Sequence, residues 1–214
     1  SGAALLPVKR VGAAHGEDSL RGGYSSATAV RRAAAEGRLP DVAESIPPFV
    51  YRALVHAPDL SSYKSVALYA ALARPAEEMR GILDCTEGLE NRIRSIAKSG
   101  AGYDELIAKV TSKRYISSRI RRILAAAVLG IGERLVRDSL KSNLYFNVLA
   151  IRRERADEIL PLFARSALPA IIRREDERAL SGTAKICYEK DVFSEELYAS
   201  LSLTPMHSGR TVFV

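Results

Sequence analysis

The sequence has no tryptophan and only two cysteines, Cys85 and Cys187, which lie far apart along the chain. It contains no Cys-x-x-Cys pair and no grouping of cysteine with histidine, so the pattern argues against a zinc module and against a disulfide scaffold. No residues stand at metal-ligand spacing, and we predict no metal site. Because so few cysteines suit a reducing compartment, we expect a cytoplasmic protein.

Long apolar runs are also missing from the sequence. The run at residues 124–131 falls well short of the roughly 20 residues that cross a bilayer, so we expect no membrane span and no membrane partner. Three histidines, His15, His56 and His207, are isolated from one another and form no Ser/His/Asp arrangement that spacing could identify. Hydrophobic residues make up 47% and charged residues 27%, which is typical of a folded protein of one or two domains.

Acidic residues are fewer than basic ones, 25 against 32, and the formal net charge is +7. This excess favours a polyanionic partner without identifying it. The phosphate-binding patterns G-x-x-x-x-G-K-[ST] and G-x-G-x-x-G are both absent, so any nucleotide chemistry must use another scaffold.

The chain begins Ser-Gly-Ala without an initiator methionine, and its only methionines are Met79 and Met206. We therefore expect a truncated or processed chain. A signal-peptide remnant is the competing interpretation, but the charged, apolar and cleavage-site series of such a segment is not visible.

The first 40 residues have the pattern of a strand, a loop and a capped helix. Residues 5–11 predict a strand, and glycines punctuate the segment that follows. Ser25 or Ser26 can cap a helix over 27–36, which good helix formers favour and Gly37 ends. We interpret residues 1–40 as the closing piece of an α/β nucleotide-binding domain.

Helical periodicity dominates residues 41–142. Isoleucines such as Ile116, Ile120 and Ile123 recur at helical spacing and predict a buried stripe. A helical bundle is the natural architecture for this region, with predicted helices at 48–56, 60–73, 75–84, 88–99, 103–111 and 116–139.

Residues 143–214 change pattern again and predict a small α+β region. Aromatic and branched residues at 144–151 and 169–172 favour two strands, separated by a helix at 156–166. A last helix is predicted at 194–202, followed by an extended or disordered tail at 204–214.

Two kinds of anion-binding segment stand out. In YSSATAVRRA, hydroxyls lie at a helix start and Arg31 or Arg32 follows about one turn later, so amides, hydroxyls and guanidinium can together favour phosphate oxygens. Taken alone the motif is weak, and plain helix capping with arginines on a solvated face is the simpler explanation of the same residues. Arg10, in LPVKRVGAA, can line a ligand pocket or face water.

The second kind is basic. In SKRYISSRIRRIL, Lys113, Arg114 and Tyr115 precede a helix that carries Arg119 and Arg122, so cations can hold phosphates while the aromatic stacks on an unpaired RNA base. A solvated cationic face is the alternative. Upstream, TEGLENRI includes Glu87, Glu90, Asn91 and Arg92, which can form ordinary pairs on a helix surface.

Four segments, in this order, resemble the tRNA(Met) cytidine acetate ligase family: VKRVGAAHGED, SSATAVRRA, TEGLENRI, and the pair SKRY and SSRIRRIL. Looser agreement continues through LYFNVLAIRR, ALPAII and EKDVFSEELYASL, so the resemblance covers nearly the whole chain. An aromatic is more usual in the family where His15 stands, which affects local loop contacts rather than the family.

The resemblance implies a mainly α fold in which a helical bundle follows the tail end of an α/β nucleotidyltransferase domain. Family members carry an HxGH motif at their N-terminus; this chain lacks it, so the resemblance is to a C-terminal portion and the catalytic residues are unknown. The implied reaction joins acetate and ATP, with Mg²⁺, into acetyl-adenylate and acetylates N4 of the wobble cytidine of elongator tRNA(Met). Neither acetyl-coenzyme A nor DNA is implied.

Carried over by residue, the resemblance makes Arg10, Ser26, Thr28 and Arg31 candidates for ATP contact. The candidates for tRNA contact are Asn91, Arg92, Lys113, Arg114, Tyr115, Arg119 and Arg122. On this view the chain alone binds better than it catalyses.

Two other functions stay open at the level of sequence. A stand-alone RNA-binding helical module would have a genuine start codon just before Ser1, whereas an upstream reading frame containing HxGH favours the ligase. An adenylyltransferase acting on a small metabolite would ignore tRNA.

Overall fold

The computed structural model describes residues 5–9, 20, 24–203 and 211–214. Arg10, the first of the candidate ATP contacts, lies outside these described residues, as do His15 and His207. The chain divides into two compact units, Ser1–Pro58 and Asp59–Val214.

The first unit is built around one capped helix. Helix α1, Ala27–Ala35, begins after Ser26, whose Oγ accepts a hydrogen bond from the amide of Ala29 at 3.0 Å, and it ends before Gly37 at a φ of 71°. The helix and its predicted serine cap are therefore confirmed. Residues 5–9, by contrast, have no regular secondary structure, so the strand predicted at 5–11 is wrong over these positions. No strand in the described part of this unit could pair with it.

The remainder of the first unit packs against α1. A 3₁₀ helix, Leu39–Ser45, leads to helix α2, Pro48–Val55. The cluster they share is Val30, Ala33 and Val42, with Leu20, Leu39, Ile46 and Leu54 packed against it. The apolar side chains of residues 39–54 pack against α1, and the unit extends to Pro58.

The second unit opens with six helices, of which the first five supply one apolar core. Most of the predicted stripe is confirmed, since Ile120 and Ile123 are buried, but Ile116 precedes its helix and is 58% exposed. The core also contains Met79, Leu89, Ile93, Leu106 and Leu124. The six helices are α3 (Tyr63–Ala73), α4 (Ala76–Arg80), α5 (Leu89–Lys98), α6 (Tyr103–Val110), α7 (Ser117–Leu129) and α8 (Glu133–Ser139).

Two of the predicted helices are shorter than the sequence pattern indicated. The helix expected over 116–139 is two helices, because Gly130 takes a left-handed φ of 65° and ends α7 before Gly132 begins the approach to α8. The helix expected over 75–84 stops at Arg80. Its expected last residue, Asp84, has a left-handed φ of 67°. A left-handed residue cannot continue a right-handed helix.

The last part of the second unit combines short parallel strand pairs with two helices. Strand β1 (Phe146–Asn147) pairs with β3 (Ala170–Ile171), and β2 (Ala150–Ile151) pairs with β4 (Val212–Phe213). Helix α9, Ala156–Ala164, lies between β2 and β3 along the chain. Both predicted strand regions therefore contain strands.

Helix α10, Gly182–Ser202, closes this part and begins well before the predicted residue 194. Ser194 does not cap it, because the Ser194 hydroxyl donates to the carbonyl of Asp191 within the helix at 2.8 Å. The additional turns bury Ala184 and Tyr188 against Ile171. Within the described residues, no helix has the length and apolar character that a membrane crossing requires.

Candidate functional site

A tight loop at residues 82–88 joins α4 to α5 and carries three left-handed residues. Asp84, Glu87 and Gly88 have φ values of 67°, 62° and 79°. Left-handed backbone costs an ordinary residue roughly 1–2 kcal/mol, so Asp84 and Glu87 need contacts that hold them in place.

Arg119, on α7, supplies part of that restraint. Its Nε donates to the backbone carbonyl of Asp84 at 2.9 Å, and its Nη2 donates to Oγ1 of Thr86 at 3.1 Å. One turn further along α7, the Arg122 guanidinium lies 3.6 Å from the Asp84 carboxylate. Two arginines of α7 therefore bind the same loop residue, Arg119 through the Asp84 backbone carbonyl and Arg122 through the Asp84 carboxylate.

Tyr115 and Arg114 hold the other end of the loop at Glu87. The Tyr115 hydroxyl donates to Oε2 of Glu87 at 3.0 Å, and Arg114 forms an ion pair with Oε1 of the same carboxylate. The Arg119 guanidinium carbon lies 5.1 Å from the Tyr115 ring centroid and that of Arg114 lies 5.9 Å away. The segments TEGLENRI and SKRY with SSRIRRIL thus meet at one surface.

These contacts change the role expected of Tyr115. Its side chain is buried, so its ring offers no face on which an unpaired base could stack. The hydroxyl, the ring and the two neighbouring guanidinium groups instead fix the positions of Arg114 and Arg119. We therefore interpret Tyr115 as a positioning residue.

The remaining candidates for RNA contact lie on α5 and just before α7. Asn91, Arg92 and Lys113 are exposed. The Arg92 Nη2 donates to the backbone carbonyl of Lys109 at 2.7 Å, which ties α5 to the end of α6.

Glu90 does not form the surface pair that its sequence position suggested. Its side chain is buried, and Oε1 accepts hydrogen bonds from Arg80 Nε at 3.2 Å, Arg80 Nη2 at 3.0 Å and Asn91 Nδ2 at 3.3 Å. Sequence reasoning missed Arg80, because nothing in the local pattern marks its partner ten positions away.

Charge in this region is concentrated and mostly basic. Residues 59–142 carry 15 lysines and arginines and ten acidic residues, so they hold most of the chain's excess positive charge. Burial raises the pKa of the Cys85 thiol to about 11, helped by Glu90 and opposed by Arg119 and Arg80. The buried thiol of this loop residue is therefore protonated near neutral pH and a poor nucleophile.

The candidate nucleotide-contacting segment lies in the first unit, at the start of α1. Ser26 is buried and its Oγ caps the helix, Thr28 is half-buried, and Arg31 is exposed about one turn along. The Ser25 hydroxyl lies 3.2 Å from that of Ser45 and links the helix start to the 3₁₀ helix. First-turn amides, a hydroxyl and an exposed guanidinium can together bind an anionic oxygen.

No three His, Cys, Asp or Glu side chains come together as a metal-binding group in the described ranges.

Comparisons with known proteins give the family. The sequence model described as HIGH Nucleotidyl Transferase matches residues 1–210. A tRNA(Met) cytidine acetate ligase of Thermoanaerobacter sp. (strain X514) is 28% identical over 206 residues, which are 92% of this chain and 50% of that protein. The chain thus spans about half the length of the curated relatives it matches.

Solved structures share the fold. The apo structure of Thermotoga maritima TmcAL superimposes with a TM-score of 0.82 at 23% identity, over 97% of this chain and 55% of that one. A second structure of the same protein, bound with alpha-thio ATP, gives 0.76 at 22% identity, over 91% and 53%. Since the family match spans nearly the whole sequence, the chain belongs to the HIGH nucleotidyl transferase family, as its resemblance to the tRNA(Met) cytidine acetate ligases predicted.

Proposed function

We propose that the chain works in the ATP-dependent acetylation of tRNA, forming N4-acetylcytidine at the wobble position of elongator tRNA(Met) with acetate as co-substrate. The names of its curated relatives support this proposal, as does the ATP analogue bound to the T. maritima protein. The observation that carries it is the surface at loop 82–88, where Arg114, Arg119 and Arg122 converge.

The RNA-contacting role falls on side chains that solvent can reach. Arg122, Arg114 and Lys113 are exposed, and Arg114 and Arg122 form ion pairs that are themselves exposed. Such pairs are worth little in water, so a phosphate can replace the carboxylate at low cost. Arg119 is half-buried and anchors the loop from which the others act. Asn91 and Arg92 extend the surface along α5.

The ATP-contacting role falls on Ser26, Thr28 and Arg31, together with Arg10. In the proposed reaction an acetate oxygen attacks the α-phosphorus of ATP and pyrophosphate leaves. The cytidine N4 then attacks the acetyl carbonyl of acetyl-adenylate, N4 loses a proton and AMP leaves. Arg31 and the first-turn amides of α1 would offset negative charge on the phosphates as the first step proceeds. Magnesium would accompany ATP, and we assign it no ligand in this chain.

Arg122→Ala tests the RNA surface most cleanly, because that side chain is 64% exposed and its ion pair with Asp84 is exposed and weak. We expect weaker binding to tRNA(Met) transcripts and a salt dependence of log K reduced by about 0.7–0.9, the range that one lost phosphate contact gives for single-stranded and double-helical nucleic acids. Arg134→Ala is the matched control, since it removes the same charge from a side chain that is 95% exposed on α8. Equal behaviour of the two variants would reject the proposed surface.

Arg31→Ala tests the nucleotide segment in the product of the complete reading frame. We expect a raised ATP requirement for acetyl-adenylate formation, followed as acetate-dependent exchange of pyrophosphate into ATP. Normal exchange kinetics would reject the assignment of Arg31. Acetylation that ignores tRNA would favour an adenylyltransferase of a small metabolite, and RNA binding without any exchange would favour a stand-alone RNA-binding module.

A further inference from the structure

Glu90 is a buried acidic residue in a basic neighbourhood. Its side chain is 3% exposed, whereas that of its partner Arg80 is 62% exposed. Oε1 accepts hydrogen bonds from Nε and Nη2 of Arg80 and from the side-chain amide of Asn91. Oε2 is buried and has no hydrogen-bond partner among the described residues.

The burial of Glu90 costs more free energy than a purely structural contact requires. Burying a carboxylate carries a desolvation cost that an apolar side chain in the same place would avoid, and an unpaired oxygen adds to it. The carboxylate does restrict the orientation of Arg80, because two donors of one guanidinium, Nε and Nη2, share Oε1 as their acceptor. Glu90 therefore sets the orientation of an otherwise solvent-exposed arginine.

Arg80 is the last residue of α4 and lies two positions before the loop at residues 82–88, which Arg119 and Arg122 hold. Its partner Glu90 lies two positions after that loop, on α5. The Nη1 group of Arg80 has no hydrogen-bond partner in the described part of the chain, and it keeps N–H donors for a further acceptor.

We propose that Arg80 is a further RNA-phosphate contact and that Glu90 is the residue that positions it. The inference rests on the proposed function, since it adds a cation to the RNA surface at loop 82–88. It assigns to TEGLENRI a role through Glu90 in addition to the loop contacts of Thr86 and Glu87.

Glu90→Gln separates this inference from simple electrostatics. Removing an acidic charge from a basic surface should, by charge alone, strengthen RNA binding. If Glu90 positions Arg80, the same change weakens it by about three- to tenfold and lowers the salt slope by up to about 0.9. Glu77→Gln is the charge control, because Glu77 is exposed on the neighbouring helix α4.

A double-mutant cycle completes the test. We expect Arg80→Ala to weaken RNA binding by the same factor, and the double variant Glu90→Gln with Arg80→Ala to bind no worse than Arg80→Ala alone. Additive losses, or tighter binding by Glu90→Gln, would overturn the positioning role. Thermal unfolding of each variant checks that the fold is intact.

Arg80→Lys keeps the test decisive if Glu90→Gln does not fold. Lysine retains the charge but lacks the planar guanidinium that donates to Glu90 through two N–H groups. Full RNA affinity in Arg80→Lys would therefore reject positioning by Glu90. If Arg122→Ala weakens binding and Arg80→Ala does not, the contact at Arg80 is refuted while the proposed function stands. If neither variant affects binding, the RNA surface itself is rejected.

Discussion

Gly130→Ala tests how tightly the end of α7 is packed. Gly130 has a φ of 65°, which costs a residue with a Cβ roughly 1–2 kcal/mol. The added methyl would lie 3.1 Å from Nζ of Lys190 and 3.3 Å from Nη2 of Arg74. Both are flexible ends, but moving the half-buried Arg74 weakens its ion pair with Glu78, worth about 0.3–0.5 kcal/mol. We expect the free energy of unfolding to fall by about 2 kcal/mol.

A urea titration followed by circular dichroism measures this loss. For a slope of about 2 kcal/mol/M, the midpoint should fall by about 1 M. Gly102→Ala is the control, because Gly102 has a φ of −69° and open space where a Cβ would stand, and its midpoint should change little. Adding Lys190→Ala to Gly130→Ala should restore little stability if the backbone cost dominates. Identical midpoints for the two glycine variants would refute the reasoning.

Three further outcomes follow from buried polar groups in the second unit. Tyr115→Phe should lower the free energy of unfolding by about 1 kcal/mol in the same titration, because it removes the hydrogen bond to a partly exposed Glu87. Tyr188→Phe should be neutral or stabilising, since the buried Tyr188 hydroxyl has no hydrogen-bond partner among the described residues; a loss above about 1 kcal/mol would show a missing acceptor. Cys85 should resist thiol reagents at pH 8 until urea unfolds the chain. Its raised pKa adds stability that is complete below the unfolded value near 9 and is lost as pH rises through about 11, so Cys85→Ala should flatten that alkaline decline.

The sequence predicted features that depend on near neighbours. The cap at Ser26 and the stop before Gly37 are local signals, and both are confirmed. The break at Gly130 was also visible as a glycine, but helical periodicity on both sides concealed it. The early start of α10 depends on burial of Tyr188 against Ile171, which no local pattern records.

The site shows the same division. The basic segment SKRYISSRIRRIL identified Arg119 and Tyr115 as candidate site residues. Their partners Asp84 and Glu87 lie 28 to 35 positions away along the chain. The left-handed backbone of those two acidic residues requires these distant contacts, so it could not be read from the loop. Burial of Glu90 escaped prediction for the same reason, because its position on α5 looked like an exposed one.

The acidic loop residues have a consequence for selectivity on the proposed surface. Arg114 and Arg122 already bind the carboxylates of Glu87 and Asp84, so a phosphate arriving at either guanidinium must compete with a carboxylate of this chain instead of filling an empty site. Replacing one loop carboxylate by a phosphate would contribute little free energy of binding. Several such replacements would have to occur together to offset the conformational entropy that the RNA loses on binding. If RNA binds here as proposed, the loop carboxylates would compete with it and would discriminate against polyanions whose phosphates do not match the spacing of those carboxylates.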